Sequence, residues 1–354
     1  MIGNVVYVGG TFNNAVSPTG VTAPRTNLAA FCLADGNLLS SFSANFGGGP
    51  VNALATDGAS LFVGGNFTTL NGAASNRLVK LNAGTGVRDT SFSPDPIPAP
   101  RATPPANPPE GVLDLAFSGS TGVLYAGGDF GKIGTGGGLM QSTKVDNAAG
   151  FSANGSLTAF RGGTDKLVES IAVSPDGSTV FLGGNFTTVH GVNRGQMARV
   201  TATAADAAGV QSPNYGIGAK VLDIAATSSN DVVAAVGGAL GGGTGGRRLV
   251  SFSGATQGLN DVNPQGDVQA VELIGGTAYF GMQRGYGANN GPNLVGVPTS
   301  GGAVTFSATA AIAAPTVQGV MDLAVSQGGA RLVAVGDFTS VGTTGSLHGL
   351  AIFA

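Results

Sequence analysis

The chain has 354 residues and a net charge of −3, and only 10 % of its residues are charged, against about 25 % in a typical soluble protein. It also contains 62 glycines and 17 prolines, which excludes long helices and coiled coils because both residues destabilise a helix interior. The absence of a basic run argues against nucleic-acid binding, and no apolar stretch approaches the roughly 18 residues of a membrane span.

An apolar strand that ends in glycine recurs seven times along the chain. The copies cover residues 5–10, 61–65, 124–128, 180–184, 233–238, 278–282 and 332–336, with steps of 55, 63, 56, 54, 44 and 54 residues between the second glycine positions. A regular period of this length predicts a repeat architecture.

Each of these strands, designated B, has the same predicted neighbours. A strand A with the pattern Val-x-x-Leu-Ala precedes it (51–55, 112–116, 168–172, 221–225, 268–272 and 320–324). A strand C follows it (77–81, 197–200, 248–252 and 350–353), and then a short strand D (39–42, 87–92, 157–160 and 304–306). This order predicts an all-β fold, a seven-bladed β-propeller with about four antiparallel strands per blade, formed by residues 1–354 as a single domain. A right-handed β-solenoid is the alternative, although its repeats are usually shorter.

The two ends of the chain and one insertion depart from the repeat. The chain starts on a strand B and stops after a strand C, so the first blade lacks A and the last lacks D. We expect the missing edge to be closed by the other terminus or covered by a neighbouring chain, because a bare edge leaves backbone groups unpaired. The proline-rich insertion 93–110 is either a stiff arm that contacts a partner or a plain surface loop. The segment 241–246 is a glycine-rich loop without the Lys-Ser/Thr of a phosphate-binding loop.

Residues with catalytic potential are scarce. Glutamate occurs three times, and the two histidines, His190 and His348, are not spaced as zinc ligands. No Gly-x-Ser-x-Gly motif is present, and His190 is expected to be a turn residue. Cys32, the single cysteine, is expected to be a packed core thiol, and the absence of tryptophan is unfavourable for sugar stacking. The sequence therefore predicts no catalytic residue, no cofactor and no metal centre, and the first residues do not resemble a secretory signal.

Three aspartates occupy the same place in strand A of different repeats. Asp114, Asp223 and Asp322 are aligned there with Ser170, Ala53 and Ala270. If strand A is the innermost strand, these carboxylates converge on the central channel, where they could hold Ca²⁺ or a water cluster. The alternative is that each accepts hydrogen bonds from adjacent backbone groups.

The fourth repeat carries a family resemblance. Residues 168–177, followed by 181–191 with the sequence Phe-Leu-Gly-Gly-Asn-Phe-Thr-Thr-Val-His-Gly, resemble the delta-60 type of β-propeller repeat. That repeat is found in bacterial surface and secreted proteins and in propeller-bearing minor tail proteins of bacteriophages. Repeats five and six depart from it, with Ala239-Leu240 and Met282-Gln283-Arg284 in place of the Asn/Asp-Phe pair.

The resemblance implies a non-enzymatic protein that docks other protein subunits or a host surface receptor. The predicted setting is a bacteriophage virion tail, as a minor tail or tail-tip protein, without nucleic acid or membrane insertion. A bacterial extracellular surface adhesion propeller is the main alternative, and a propeller carbohydrate-active hydrolase or lectin is a further one.

Overall fold

The computed structural model describes residues 1–75, 77–94, 111–134, 142–239, 247–262, 264, 266–287, 291–308, 310–312, 319–326, 328–341 and 349–353. The insertion from residue 95 onward, the loop 241–246 and His348 lie outside these residues. The described part contains one short 3₁₀ helix (Ala207–Gly209) and the following β-strands: β1 (Val5–Gly9), β2 (Asn14–Val16), β3 (Thr22–Pro24), β4 (Leu28–Cys32), β5 (Phe46–Gly47), β6 (Val51–Thr56), β7 (Ser60–Gly65), β8 (Thr69–Leu70), β9 (Ala73–Ala74), β10 (Leu78–Asn82), β11 (Gly111–Ser118), β12 (Val123–Asp129), β13 (Lys132–Gly134), β14 (Ser142–Lys144), β15 (Ala148–Phe151), β16 (Leu157–Arg161), β17 (Val168–Val173), β18 (Thr179–Gly184), β19 (Thr188–Val189), β20 (Val192–Asn193), β21 (Met197–Thr201), β22 (Val210–Gln211), β23 (Ala219–Ala226), β24 (Asp231–Ala239), β25 (Arg248–Ser253), β26 (Thr256–Asp261), β27 (Val268–Ile274), β28 (Thr277–Met282), β29 (Leu294–Pro298), β30 (Phe306–Ala308), β31 (Ala310–Ile312), β32 (Gly319–Val325), β33 (Leu332–Val341) and β34 (Leu350–Phe353).

The strands that carry the repeat form successive antiparallel sheets, one for each strand B. Blades 3 to 6 each contain four strands in the order A-B-C-D: β11-β12-β15-β16, β17-β18-β21-β22, β23-β24-β25-β26 and β27-β28-β29-β30. Blade 2 is β6-β7-β10, and blade 7 is β32-β33-β34 with β31 paired to the far end of β33. Blade 1 consists of β1 and β4. The predicted all-β propeller is therefore confirmed, while blades 1 and 2 have fewer extended strands than the predicted four.

The hydrophobic core lies between the blades rather than within them. Phe62 of blade 2 packs with Leu124 and Phe151 of blade 3 in one buried cluster, and the other blade pairs form equivalent clusters. Val6 of blade 1 packs against Val333 of blade 7, so the ring closes through apolar contact. Strand B of blades 2, 3 and 4 is buried at consecutive positions, so both of its faces are covered, which explains why it is apolar at consecutive positions.

The first glycine of each pair makes room for the next blade. A Cβ atom at Gly9, Gly64, Gly127, Gly183 or Gly281 would lie 2.5–2.8 Å from a methyl group of the valine that opens strand A of the following blade. Alanine at these positions would therefore push neighbouring blades apart.

The second glycine makes room within its own blade. At Gly65, Gly128, Gly184 and Gly336, the space that a Cβ would take is filled by a backbone carbonyl oxygen at the start of strand A. The two glycines of the motif therefore permit two close approaches, one between blades and one between strands A and B.

Repeat five departs from the sequence alignment. Its Gly237-Gly238 pair does not occupy the two glycine positions, because Ala235 pairs with Asp223 and Val236 pairs with Val221. In blade 7 the first position is likewise filled by Val335, which pairs with Asp322. The diglycine pattern alone therefore misplaces the register of repeat five.

In three blades, a residue with a left-handed backbone conformation carries an amide side chain that hydrogen-bonds to the next blade. Asn27, Asn147 and Gln196 precede strand C with φ values of 66°, 73° and 64°. The Asn27 amide group donates to the carbonyl oxygens of Phe46 and Gly49, each at 3.0 Å. Gln196 accepts from the Gly218 amide at 3.1 Å. These bonds, with those of Asn147 to the loop at Lys166, tie strand C of blades 1, 3 and 4 to the loop that enters the next blade.

The N-terminal end differs from the sequence expectation, whereas the C-terminal strand takes the predicted place of strand C. Ile2 exchanges two backbone hydrogen bonds of 3.0 Å with Val5, so Met1 and Ile2 form the end of a strand A and the chain does not start directly on strand B. The C-terminal strand β34 pairs with β33, and among the described residues β4 is the strand that pairs with β1. No strand from the other terminus in the described part of the chain pairs with β1, and closure of this edge by the other terminus or by a neighbouring chain stays a prediction.

The expectation that the Cys32 thiol is packed in the core is also wrong. It is half-buried rather than packed in the core, because it ends β4, and the amide group of Asn4 lies 3.3 Å from its sulfur.

Candidate functional site: the central channel

The six strands A lie side by side around the axis, and a β-bulge in each sets the direction of one channel side chain. The pairing of strand A with strand B shifts by one residue immediately before Ala53, Asp114, Ser170, Asp223, Ala270 and Asp322. A bulge leaves backbone N–H groups free of the ladder and re-aims side chains. The equivalence of the three aspartates, inferred from the sequence, therefore has a structural cause.

Asp114, Ser170 and Asp223 form a continuous bridge across blades 3, 4 and 5. Ser170 Oγ lies 2.9 Å from Asp114 Oδ2 and 2.9 Å from Asp223 Oδ1. Each carboxyl also accepts from the strand A of the following blade: Ile171 N donates to Asp114 at 2.8 Å, and Val271 N donates to Asp223 at 2.7 Å. These side chains thus accept backbone hydrogen bonds, as the alternative from the sequence proposed.

The bridge requires a shared proton. The Ser170 hydroxyl has one hydrogen and cannot donate to two ionised carboxylates at once, so one carboxyl must donate to Ser170. Burial raises the pKa of Asp114, and burial together with the charge of Asp114 raises the pKa of Asp223 well above its ordinary value. The hydrogen-bond geometry is the same for both carboxyls, and the stronger rise of the pKa favours Asp223 as the carboxyl that carries the proton.

Two further acids face the remaining part of the channel. Displacement of water by the surrounding protein raises the pKa of Glu272 to about 7 and that of Asp322 to about 6. The residue Asp322 is nevertheless exposed to solvent in the described part of the chain. The charged amino group of Met1 is close enough to lower both values.

Among the residues that the structure describes, no three acidic, histidine or cysteine side chains are grouped closely enough to hold an ion. The hypothesis that Asp114, Asp223 and Asp322 hold Ca²⁺ or a water cluster is not tested by these contacts. Sequence comparison missed the bridging role of Ser170, although its alignment with the three aspartates was the available signal. It also missed Glu272, which follows the aligned position by two residues.

Replacement of Ser170 by alanine tests the bridge. Ser170→Ala removes a buried hydroxyl that contacts two carboxyls, so we expect the free energy of unfolding to fall by about 1–3 kcal/mol. Urea denaturation, monitored by intrinsic tyrosine fluorescence, measures this free energy. Ser41→Ala, at an exposed serine, is the matched control, and equal stabilities of the two variants would contradict the bridge.

The second polar feature is a depression of about 410 Å³ lined by Lys144, Asp146, Asp165 and His190 among others. His190 lies in the turn between β19 and β20 with φ 48°, as predicted, and its Nε2 is 3.0 Å from the Arg161 carbonyl oxygen. Asp165 accepts the backbone amides of Thr187 and Thr188 in the same way as a turn-capping residue. These contacts stabilise the turn.

Comparisons with known proteins give the fold. No family model matches the chain, and no curated protein matches its sequence. The WD40 β-propeller domain of Doa1 is similar in structure, with a TM-score of 0.57 and 12 % identity over 99 % of this chain and 88 % of that one. A chain of the Mitotic Checkpoint Complex is similar with a TM-score of 0.56 and 14 % identity, over 94 % and 89 % of the two chains. The computationally designed Ika8 protein gives a TM-score of 0.53 and 11 % identity, over 96 % of each.

These similarities show that the chain adopts a β-propeller fold. No helix in the described part of the chain has the length and apolar character needed to cross a membrane.

Proposed function

We propose that the protein is a non-enzymatic β-propeller that docks other proteins, and that it does so as a minor tail or tail-tip component of a bacteriophage virion. The observation that carries the first part is the use of the channel polar groups. Asp114, Ser170 and Asp223 bond to each other and to the backbone of neighbouring blades, so these groups stabilise the ring rather than face a substrate.

Structural neighbours support the docking role. The Mitotic Checkpoint Complex is, as its name says, a protein assembly, and a WD40-like ring presents broad faces and loops to partners. The low charge of the chain suits a surface that is partly covered in an assembly.

The virion setting rests on the resemblance of residues 168–177 and 181–191 to the delta-60 propeller repeat. That repeat occurs in propeller-bearing tail proteins, and the proposed partners are the other tail subunits and a receptor on the host surface.

Immunogold electron microscopy tests this setting. We expect antibodies against the purified chain to label the tail tip of particles from the phage that encodes it, and to slow adsorption to the host. Purified particles that lack the chain by mass spectrometry would overturn the virion role. Labelling of the bacterial surface in cells without phage would instead favour the adhesion propeller.

A further inference from the structure

We propose that Asp114, Ser170 and Asp223 form a pH-operated latch, which joins blades 3, 4 and 5 while the bridge holds its proton and loosens them when that proton is lost. Ser170 lies at its centre with 1 % of its surface exposed. Water therefore cannot replace a missing hydrogen-bond partner of this hydroxyl without a local opening between the blades. The proposal concerns the ring itself and does not depend on the proposed partners.

The contacts of the Ser170 hydroxyl are complete when the bridge holds one proton. The Ser170 oxygen lies 2.9 Å from Asp114 Oδ2, 2.9 Å from Asp223 Oδ1 and 3.1 Å from the Ile224 nitrogen. A hydroxyl group has one hydrogen to donate and two lone pairs to accept with. The Ile224 amide uses one lone pair, the ionised carboxylate takes the hydrogen, and the protonated carboxyl donates to the second lone pair. The observed geometry thus fits one neutral carboxyl and one ionised carboxylate.

Loss of the proton removes one of these bonds. Two carboxylates then face a hydroxyl with a single hydrogen, so one carboxylate oxygen meets a lone pair of Ser170 at 2.9 Å. The next blade also holds each carboxyl, through the amides of Ile171 and Val271, and turning either carboxyl away from Ser170 would strain such a bond. Deprotonation is therefore expected to widen the contacts between the strands A of blades 3, 4 and 5.

The surrounding charges oppose ionisation of both carboxyls at once. The strands packed against β11 and β23 carry further acids, namely Asp129 on β12, Glu169 on β17, Asp231 on β24 and Glu272 on β27. Among the described residues of these strands the basic one is Lys220 of β23, and it forms an ion pair with Glu169. The bridge is thus surrounded by negative charge, which favours retention of its proton.

The direction of the pH response follows from these groups. Burial, followed by the charge of Asp114 and a smaller effect of Asp322, raises the pKa of Asp223 well above its ordinary value of 3.8. A carboxyl with a raised pKa in the native state stabilises the fold below the ordinary value, and this contribution is lost as the pH rises through the raised value. The latch is therefore closed in acid and opens toward alkaline pH.

Infrared spectroscopy of the full 354-residue chain at pH 7 tests the shared proton. The starting protein carries Glu272→Gln, which removes the carboxyl whose pKa is about 7. We expect an absorption band of a protonated carboxyl group, and we expect both Asp114→Asn and Asp223→Asn to abolish it, because either amide would donate the second hydrogen to Ser170. Asp322→Asn, at the equivalent place in blade 7, is the matched control and should retain the band. Absence of the band from the starting protein, or its loss in Asp223→Asn alone, would overturn the shared proton.

Hydrogen exchange measured by mass spectrometry tests the opening. In the same starting protein, exchange of residues 168–173 and 219–226, corrected for the intrinsic effect of pH, should become about tenfold faster between pH 6 and pH 10. Asp114→Asn and Asp223→Asn should each remove this change, whereas Asp322→Asn should retain it. Unchanged exchange of residues 60–65 in blade 2 shows that each variant is folded. Equal exchange of the starting protein at both pH values, or the same increase in the two bridge variants, would contradict the latch.

Discussion

Gly128→Ala is expected to destabilise the propeller by about 3 kcal/mol, because overpacking at a backbone contact cannot be relieved by a side-chain rotation. The new methyl group would lie within hard contact of the Gly111 carbonyl oxygen and 3.1 Å from the Leu113 amide nitrogen. Strands β11 and β12 would have to separate where the bulge begins. Urea denaturation of the purified variant measures the change.

Gly119→Ala is the matched control. Gly119 lies in the turn between the same two strands, and a Cβ there meets no atom within 4 Å. We expect its stability to remain within about 0.5 kcal/mol of the wild type. If both variants unfolded at the same urea concentration, the close approach at Gly128 would not be the reason for the second glycine.

Glu272→Gln is expected to stabilise the protein at pH 8 by about 2 kcal/mol and to leave it unchanged at pH 4. The pKa of Glu272 rises from 4.5 to about 7 on folding, mainly through burial. Between these values the native state binds more protons than the unfolded state, so stability falls as the pH rises from 4.5 through about 7. Glutamine removes this dependence and still accepts the Leu273 amide, which lies 2.8 Å from the carboxyl oxygen.

Thermal denaturation of both proteins from pH 4 to pH 8 measures the effect. The two stability curves should coincide at pH 4 and separate above pH 5. Glu169→Gln is the control, because Glu169 forms an ion pair with Lys220 and its removal should slightly lower stability at pH 8. Parallel curves for Glu272→Gln and the wild type would show that the channel does not perturb this carboxyl.

Local residue patterns predicted the strands of this fold well, whereas contacts between repeats were harder to predict. The Gly-Gly-Asn/Asp-Phe segments identify strand B because glycine is required wherever another backbone or a valine approaches, as at Gly64 and Gly65. The register of repeat five was predicted wrongly. Ala235 is small enough to replace the first glycine, and Gly237-Gly238 lies beyond the positions that pair with Val221 and Asp223.

The channel was predicted only in part, because its hydrogen bonds lie between repeats. Alignment identified Asp114, Asp223 and Asp322 as equivalent positions of strand A, but the bridge through Ser170 depends on the distance between adjacent blades. The end of the first strand A was missed because two residues, Met1 and Ile2, are too few to carry a periodic pattern.

The location of the apolar clusters has a consequence for how the molecule melts. Phe62, Leu124 and Phe151 belong to two blades but to one buried cluster, so a blade cut out of the ring would expose both of its faces to water. No blade can therefore act as an independent folding unit, and loss of one should propagate around the circle as a single cooperative transition.

The junction of Val6 with Val333 joins segments more than 300 residues apart in sequence. Closing such a distant contact carries a large entropic cost, so joining the ends should be the slow step of folding.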